Sequence, residues 1–423
     1  MNPWLNQVID GAQISNDWLS PIREQSLQTL KNSQWPNRRS ERWKYTSLTA
    51  LENFNTNNNA NNNSVNSALA VGSINGLNAI ELIFVNGKCQ TNIKQLTLPN
   101  GLNISDFRDA PIAQQDKAKA VFNHSKPAHH LFGLVNDVMA NEGLLISIDE
   151  NCDIQTPIHI IHHNSEGDDS HLRVLVNIAA GAKATIIEQG HGESSSANTY
   201  FSEYVLDKNA QLEHTYLAMH THLAIHISGC HFNLYDHAKL KSTVIAYGSQ
   251  LSRLDIDVNH CGEHADAKLN AVYLLAESEH FDLHTTIEHA MPNGTTEENV
   301  RGVVGDKAKA VFNGRIHIHR NAQKTLAQLN NRNLLLSRRG QVNTKPELEI
   351  YADDVQCAHG ATVAEMNEED LYYLNSRGIS LSKAKVMLNL GFIQELVNGI
   401  SNQALKDWLE QLLRTRFLTM EVK

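Results

Sequence analysis

At 423 residues and 41% hydrophobic content, the chain can bury a large interior and is too long for one small core, so two or three structural regions are expected. Its formal charge of -10, from 36 basic and 46 acidic residues, excludes the net basic face that displaces counterions from nucleic acid. No apolar run approaches the roughly 20 residues that cross a bilayer. The opening M-N-P-W-L-N-Q-V-I-D lacks the basic and apolar regions of a signal peptide, so a cytoplasmic location away from membranes is expected. Cys89, Cys152, Cys230, Cys261 and Cys357 form no C-x-x-C pair, which leaves free thiols in place of a zinc ribbon or a disulfide framework.

From Ser15 to Gln34, Trp18, Leu19, Ile22, Leu27 and Leu30 recur at three- and four-residue steps. They predict a helix capped by Ser15 or Asn16 and stopped by Pro36. The following R-R-S-E-R-W-K-Y-T reads either as a surface loop or as a segment packed on a neighbouring element. From Asn53 to Ser67 the chain is rich in Asn and poor in apolar groups, and reads as a disordered linker. Ile80 to Val85 predicts a strand ending at the turn dipeptide Asn86-Gly87, and Gln114 to Phe122 and His129 to Ala140 predict helices. Residues 1–142 thus form an N-terminal helical region carrying a linker over 53–67 and a few strands.

From Gly143 short alternating apolar runs continue without an amphipathic helix, and residues 143–364 read as a β core. An Ala-(Lys/Gln)-apolar triplet recurs at Ala182, Ala210, Ala238 and Ala267, at spacings of 28, 28 and 29. A fifth copy at Ala308, 41 residues on, suggests one turn plus an insertion around Met291 to Asn299. A 28-residue period accommodates two strands of about ten residues, roughly 33 Å each at 3.3 Å per residue, plus two turns. That is one coil of a parallel β-helix with the small Ala at a tight corner. A β-sandwich is the alternative, although nothing obliges its strands to repeat at constant spacing.

Histidine is frequent here, including His220, His222, His226, His317 and His319. An H-x-H pair on a strand shares one face and could bind a divalent metal as in a cupin-like metal-dependent enzyme. The further glutamate and histidine of that arrangement are not evident after either pair, so ordinary hydrogen-bonded histidines compete with it. A polysaccharide-cleaving β-helix enzyme is disfavoured by the lack of clustered carboxylates.

Leu348 to Val355 alternates apolar and polar groups and predicts a strand; if it continues, Cys357 and His359 project from one face, followed by Gly360. A buried thiol beside a hydrogen-bonded histidine is the plain reading. Residues 365–423 are helical. Asn367 opens an acidic first turn and Arg377-Gly378 closes that helix. Ala384, Leu388, Phe392 and Leu396 stripe the next helix; Leu405, Trp408, Leu409, Leu412 and Leu413 stripe the last. This hairpin serves either to cap the solenoid or to dock a partner.

The run S-R-R-G-Q-V-N-T-K-P-E-L-E-I-Y-A-D-D-V-Q-C-A-H-G-A-T, followed by L-Y-Y-L-N-S-R-G-I-S, resembles the SufB/SufD family of iron-sulfur cluster scaffold components. Upstream, R-R-S-E-R-W-K-Y-T-S-L looks like the N-terminal signature of the SufD branch. The resemblance implies a mainly β fold, a right-handed parallel β-helix flanked by N-terminal and C-terminal helical regions, without enzymatic activity of its own. It implies a heterodimer with SufB through Leu348, Ile350, Val355, Cys357 and His359. A homodimer is allowed for the chain in isolation. His359, and secondarily Cys357, become candidate ligands of iron or a nascent cluster formed at the SufB joint. The ATPase SufC would bind through Ala384, Leu388, Phe392, Leu396, Leu405, Trp408 and Leu412. The chain has no G-x-x-x-x-G-K-[ST] loop, so nucleotide hydrolysis would reside in that partner. No cofactor is expected to stay on the isolated chain, because a cubane held by one chain needs several close thiolates; the cluster would be transient in the complex.

Overall fold

The structure, a computed structural model, describes residues 2–12, 17–54, 72–165, 167, 169–192, 195–221 and 223–421. The chain opens with α1 (Pro3–Gly11), α2 (Ser20–Lys31) and α3 (Thr49–Glu52). β1 (Ile80–Val85), β2 (Lys88–Cys89), β3 (Leu102–Asp106), α4 (Ile112–Lys119) and α5 (Leu131–Met139) follow. A long run of strands then begins with β4 (Gly143–Ile148), β5 (Ile158–Asn164), β6 (Asp169–Ile178), β7 (Lys183–Gly192), β8 (Ala197–Leu206) and β9 (Gln211–Ala218). It continues through β10 (Ile225–Leu234), β11 (Lys239–Tyr247), β12 (Leu251–His260), β13 (Asp266–Leu275) and β14 (His280–His289). It ends with β15 (Thr295–Val304), β16 (Lys309–Ile318), β17 (Leu326–Leu335), β18 (Gln341–Ile350) and β19 (Gln356–Glu365). Helices α6 (Glu368–Ser376), α7 (Leu381–Asn398) and α8 (Gln403–Glu421) close the described chain.

Successive strands alternate between two sheets, ordered β19-β17-β15-β13-β11-β9-β7-β5-β1-β2 and β18-β16-β14-β12-β10-β8-β6-β4-β3. From β4 onward all neighbours within a sheet are parallel, which makes the expected parallel β-helix, of about eight turns. Antiparallel β2 and β3 end the two sheets on one side and blunt those edges. On the other side the sheets end at β19 and β18.

In the first sheet Lys183, Gln211, Lys239, Asp266, Thr295, Leu326 and Gln356 stack in register, at steps of 28, 28, 27, 29, 31 and 30 residues. Two details of the repeat need correction. The residue equivalent to Ala238 is Ala265, because Lys239 pairs with Asp266, and Ala267 lies two positions further along. Ala308 precedes β16 in the second sheet, and the supposed insertion from Met291 to Asn299 contains the corner and start of β15. Ala267 matched because Ala265 is followed by Asp266 and not by Lys or Gln, and Ala308 because a buried alanine also precedes this strand of the second sheet. Gly181, Asn209, His237 and His264 have φ of 71°, 59°, 58° and 58°. Each is followed by a fully buried alanine, Ala182, Ala210, Ala238 or Ala265. The backbone N–H of Gly181, Asn209 and His237 donates to Lys208, Asp236 and Glu263 of the next coil at 2.8–2.9 Å. Chain therefore lies directly against chain at the corner, and only a small side chain fits.

The lumen is filled by residues such as Ile146, Val174, Tyr204, Phe232, Ile256 and Phe281. Outside the second sheet, Trp4, Trp43, Leu48 and Phe132 pack on Phe201, Ile225, Ile227 and Leu251. Outside the first sheet, Val386, Ile393, Leu405, Leu409 and Phe417 pack on Ile187, Leu217, Ile245, Val272 and Val303. The central strands are consequently buried on both faces.

Several boundaries differ from the sequence reading. α2 begins at Ser20 with Pro21 in its first turn, a position where a missing N–H costs nothing; Ser15 and Asn16 lie outside the described residues, as does most of the 53–67 segment. α1 is an additional helix, with the Asn2 carboxamide oxygen accepting the N–H groups of Trp4 and Leu5. The run from Leu348 to Val355 is divided: β18 ends at Ile350, a corner holds buried Ala352, and β19 starts at Gln356. Alternation continued through the corner because Ala352 and Val355 also turn toward the lumen packing.

Candidate functional site at the open end of the solenoid

The sequence places a thiol and an imidazole two residues apart, and the fold carries them to the last strand. Cys357 pairs with Ala327 and His359 with Leu329 on β17, and both partners belong to the lumen core. Cys357 and His359 therefore share the inward face of the final coil. Leu348 and Val355 are half-buried against the same core, and Ile350 is 41% exposed. The five residues read as an interface all line this end. Gly360 has open space around it.

Cys357 is partly buried, and burial pushes its thiol up, opposed by a hydrogen bond with the Ala327 backbone. His359 is exposed. On the inward face, Cys357 and His359 supply one thiol and one imidazole, fewer than a cluster requires, beside the edges of β18 and β19 that have no neighbouring strand among the described residues.

The arginine-rich signature segment is not a free loop. Arg253 stacks on Trp43, with the guanidinium carbon 4.0 Å from the ring centroid, and donates to the Arg42 carbonyl at 2.7 Å. It also binds Asp255 through two hydrogen bonds of 2.8 Å and Asp282 at 2.9 Å, while Thr46 donates to Asp282 at 2.6 Å. Burial alone would raise the Asp255 and Asp282 carboxyls, but Arg253 and the histidines His130 and His284 hold both below the usual range. Lys309 donates to the Tyr45 carbonyl and Lys345 pairs with Glu41, which ties the segment to β16 and β18 as well. Sequence reading missed Arg253, Asp255 and Asp282. The signal for the first two was R-L-D-I-D from Arg253 to Asp257, charges alternating on a strand whose opposite face is apolar.

The histidine pairs follow separate fates. His220 and His226 stack 3.8 Å apart and are fully buried; His226 contacts Asn198 and the Tyr216 hydroxyl through its two nitrogens. His222 lies outside the described residues. His317 and His319 contact one carboxylate oxygen of Glu288 at 2.6 and 2.9 Å on the outside of the second sheet. Arg315 bridges Glu288 to Glu349 there. A cupin needs a closed antiparallel barrel around its metal, and these strands are parallel.

The proposed docking stripe of the C-terminal helices is largely consumed by the chain itself. Ala384, Leu396 and Leu405 are buried; Leu388, Phe392, Trp408 and Leu412 are half-buried. Leu396, Leu405, Phe392, Trp408 and Leu412 belong to the cluster that packs on the first sheet. Exposed large apolar side chains of these helices are Tyr372 and Tyr373 on α6, Leu381 and Met387 on α7 and Leu418 on α8.

Fold and site together define a parallel β-solenoid whose last coil places a thiol and an imidazole on its inward face, beside two edges that have no neighbouring strand among the described residues. The region 160–392 matches the family described as "SUF system FeS cluster assembly, SufBD core domain", and 7–160 matches "SufBD protein N-terminal region". The chain is 30% identical to the iron-sulfur cluster assembly protein SufD of Escherichia coli, over 92% of this chain and 90% of that one. It is 26% identical to the chloroplastic protein ABCI7 of Arabidopsis thaliana (92% and 84% covered). It is likewise 26% identical to a SufBD family iron-sulfur cluster assembly protein of Synechocystis (93% and 90%). The chain belongs to the SufBD family of iron-sulfur cluster assembly proteins. No helix among the described residues is long and apolar enough to cross a membrane.

Proposed function

We propose that this chain is the non-ATPase subunit of a SUF scaffold that pairs with SufB through β18 and β19, so that a nascent cluster is held where the two chains meet. The observation that carries the reading is the position of Cys357 and His359 on the inward face of the final coil, next to edges that invite strand addition. Imidazole suits ferrous iron and thiolate suits iron bound to sulfide. His359 serves as ligand and Cys357 as a secondary one. A site shared between chains binds loosely enough to pass its cargo on, which suits a scaffold more than an enzyme or a store. The ATPase SufC docks on the outer side of α6 to α8, through the exposed Tyr372 and Tyr373, because the inner stripe is already occupied. Its nucleotide-driven movement would then pull on the joint.

Anaerobic co-expression with SufB and SufC, with iron and sulfide analysis of the purified complex, tests the assignment. His359→Ala is expected to abolish cluster accumulation while the complex still assembles. Full activity of that variant with unchanged folding would refute the ligand role. Tyr372→Ala combined with Tyr373→Ala is expected to lose SufC and keep SufB; retention of SufC would refute the docking surface.

A further inference from the structure

Inside the β-helix, away from the open end, three side chains with metal-binding chemistry converge. Glu188 on β7, His214 on β9 and Cys230 on β10 point into the lumen, and one donor atom of each lies within 4.8 Å of the others. Glu188 and Cys230 are fully buried and His214 is 1% exposed. Cys230 Sγ lies 3.7 Å from Glu188 Oε2, and His214 Nε2 lies 3.6 Å from Glu188 Oε1. For tetrahedral zinc, with bonds of about 2.3 Å to sulfur and about 2.0 Å to nitrogen and oxygen, the ligand atoms stand about 3.3–3.5 Å apart. The three donors are thus close to a coordination spacing before any ion is present.

Two further observations point to a ligand. His214 Nδ1 contacts Ser242 Oγ at 2.9 Å, an outer contact that orients a metal-binding imidazole and leaves Nε2 facing the carboxylate. That Nε2 makes no hydrogen bond among the described residues, since 3.6 Å is too long for one. Charge gives the second. Among the described residues no lysine or arginine ion-pairs with Glu188; its contacts are the Tyr204, Ser202 and Cys230 donors and His214. An ionised carboxylate in a dry lumen is costly without a cation. A divalent ion bound by one carboxylate and one thiolate leaves no net charge.

We propose that Glu188, His214 and Cys230 form a binding site for one divalent transition-metal ion, zinc or ferrous iron, which fastens the two sheets to each other across the lumen. Glu188 and His214 belong to the neighbouring strands β7 and β9 of the first sheet and Cys230 to β10 of the second, so the ion would connect three strands across the core. Thiolate, imidazole and carboxylate together fit zinc and ferrous iron, and they disfavour magnesium and calcium, which prefer oxygen alone. The Tyr204 hydroxyl or a water would complete four ligands. Binding deprotonates the Cys230 thiol, and the proton goes to solvent.

Because the site is closed, the ion is loaded as the chain folds. The full chain is purified from zinc-supplemented and, separately, anaerobic iron-supplemented cultures, and its metal content is measured. About one equivalent of zinc or of iron per chain is expected, and the two cultures distinguish the ions. Cys230→Ser and His214→Gln should each lower that content at least about tenfold. Cys261→Ser, at a partly buried thiol outside both sites, should leave it unchanged. Refolding the wild-type chain with cobalt(II) should produce a thiolate-to-cobalt charge-transfer band, retained in Cys357→Ser. This arm needs no variant of the lumen. Metal-free wild-type chain from both cultures together with no cobalt band, or a full equivalent retained in folded Cys230→Ser, would overturn the proposal.

Discussion

Replacing Arg253 by Met tests how the N-terminal signature is held. The methionine keeps much of the apolar stem but strands Asp255 and Asp282, whose side chains are 5% and 0% exposed. Removing one partner of a buried ion pair costs about 3–5 kcal/mol, because the remaining charge stays desolvated. Loss of stacking on Trp43 adds about 0.5–2 kcal/mol. Thr46 and His284, which contact Asp282, and His130, which contacts Asp255, offset part of this, so a net loss of about 3–5 kcal/mol is expected. Urea unfolding followed by hydrogen exchange is the assay, with the loss concentrated in residues 38–48. Asp255→Asn and Asp282→Asn added to Arg253→Met should recover part of it, since the stranded charges disappear. Both carboxyls titrate low in the fold, so the clasp is fully present above about pH 3.9, the unfolded aspartate value, and is lost as pH falls through the lower folded values. A single-variant cost under about 1 kcal/mol, or a triple variant worse than the single one, would refute the reasoning.

Acid should destabilise the whole solenoid well before that clasp is lost. Burial lowers His159, His260 and His280 to about 4, His191 and His226 to about 3, and His289 to about 2. Each is neutral when folded and protonates near pH 6.5 when unfolded, so stability is full above that value and falls by up to about 1.4 kcal/mol per histidine per pH unit below it. Asp169 and Glu298, pushed up to about 7 by burial, oppose this with two protons, too few to cancel six. Unfolding midpoints measured from pH 8 to 5 should drop below about pH 6.5, and a flat profile would contradict the buried-neutral assignment. Ala238→Leu, which crowds a corner where chain lies on chain, should cost about 1–3 kcal/mol in the same assay; a neutral result would show that the corner has room.

The coil length was legible because a corner that demands a left-handed residue followed by a small one writes itself into the chain at every turn. The count slipped at Ala267 because Ala265 is followed by Asp266, so the triplet matched two residues late, and at Ala308 because a buried alanine also precedes a strand of the other sheet. Alternation marked the last coil, whose faces are open. It was blurred in β8 and β10, where helices cover the outside as the lumen covers the inside. The stripe of Leu396 and Leu405 showed that α7 and α8 have an apolar face, yet amphipathicity is the same whether the cover is the chain's own sheet or a partner.

By itself the sequence determined the stacked-coil architecture, the membership signalled by the Ser337-to-Thr362 run, and the shared face of Cys357 and His359. Those properties are local or periodic. Tertiary structure decided that this face ends the solenoid, that Arg253 reaches back to Trp43 and Arg42, and that Glu188, His214 and Cys230 meet in the lumen. Each of these depends on which coil stacks on which, and registry between distant strands is set by packing of the whole core, which no short stretch of chain contains.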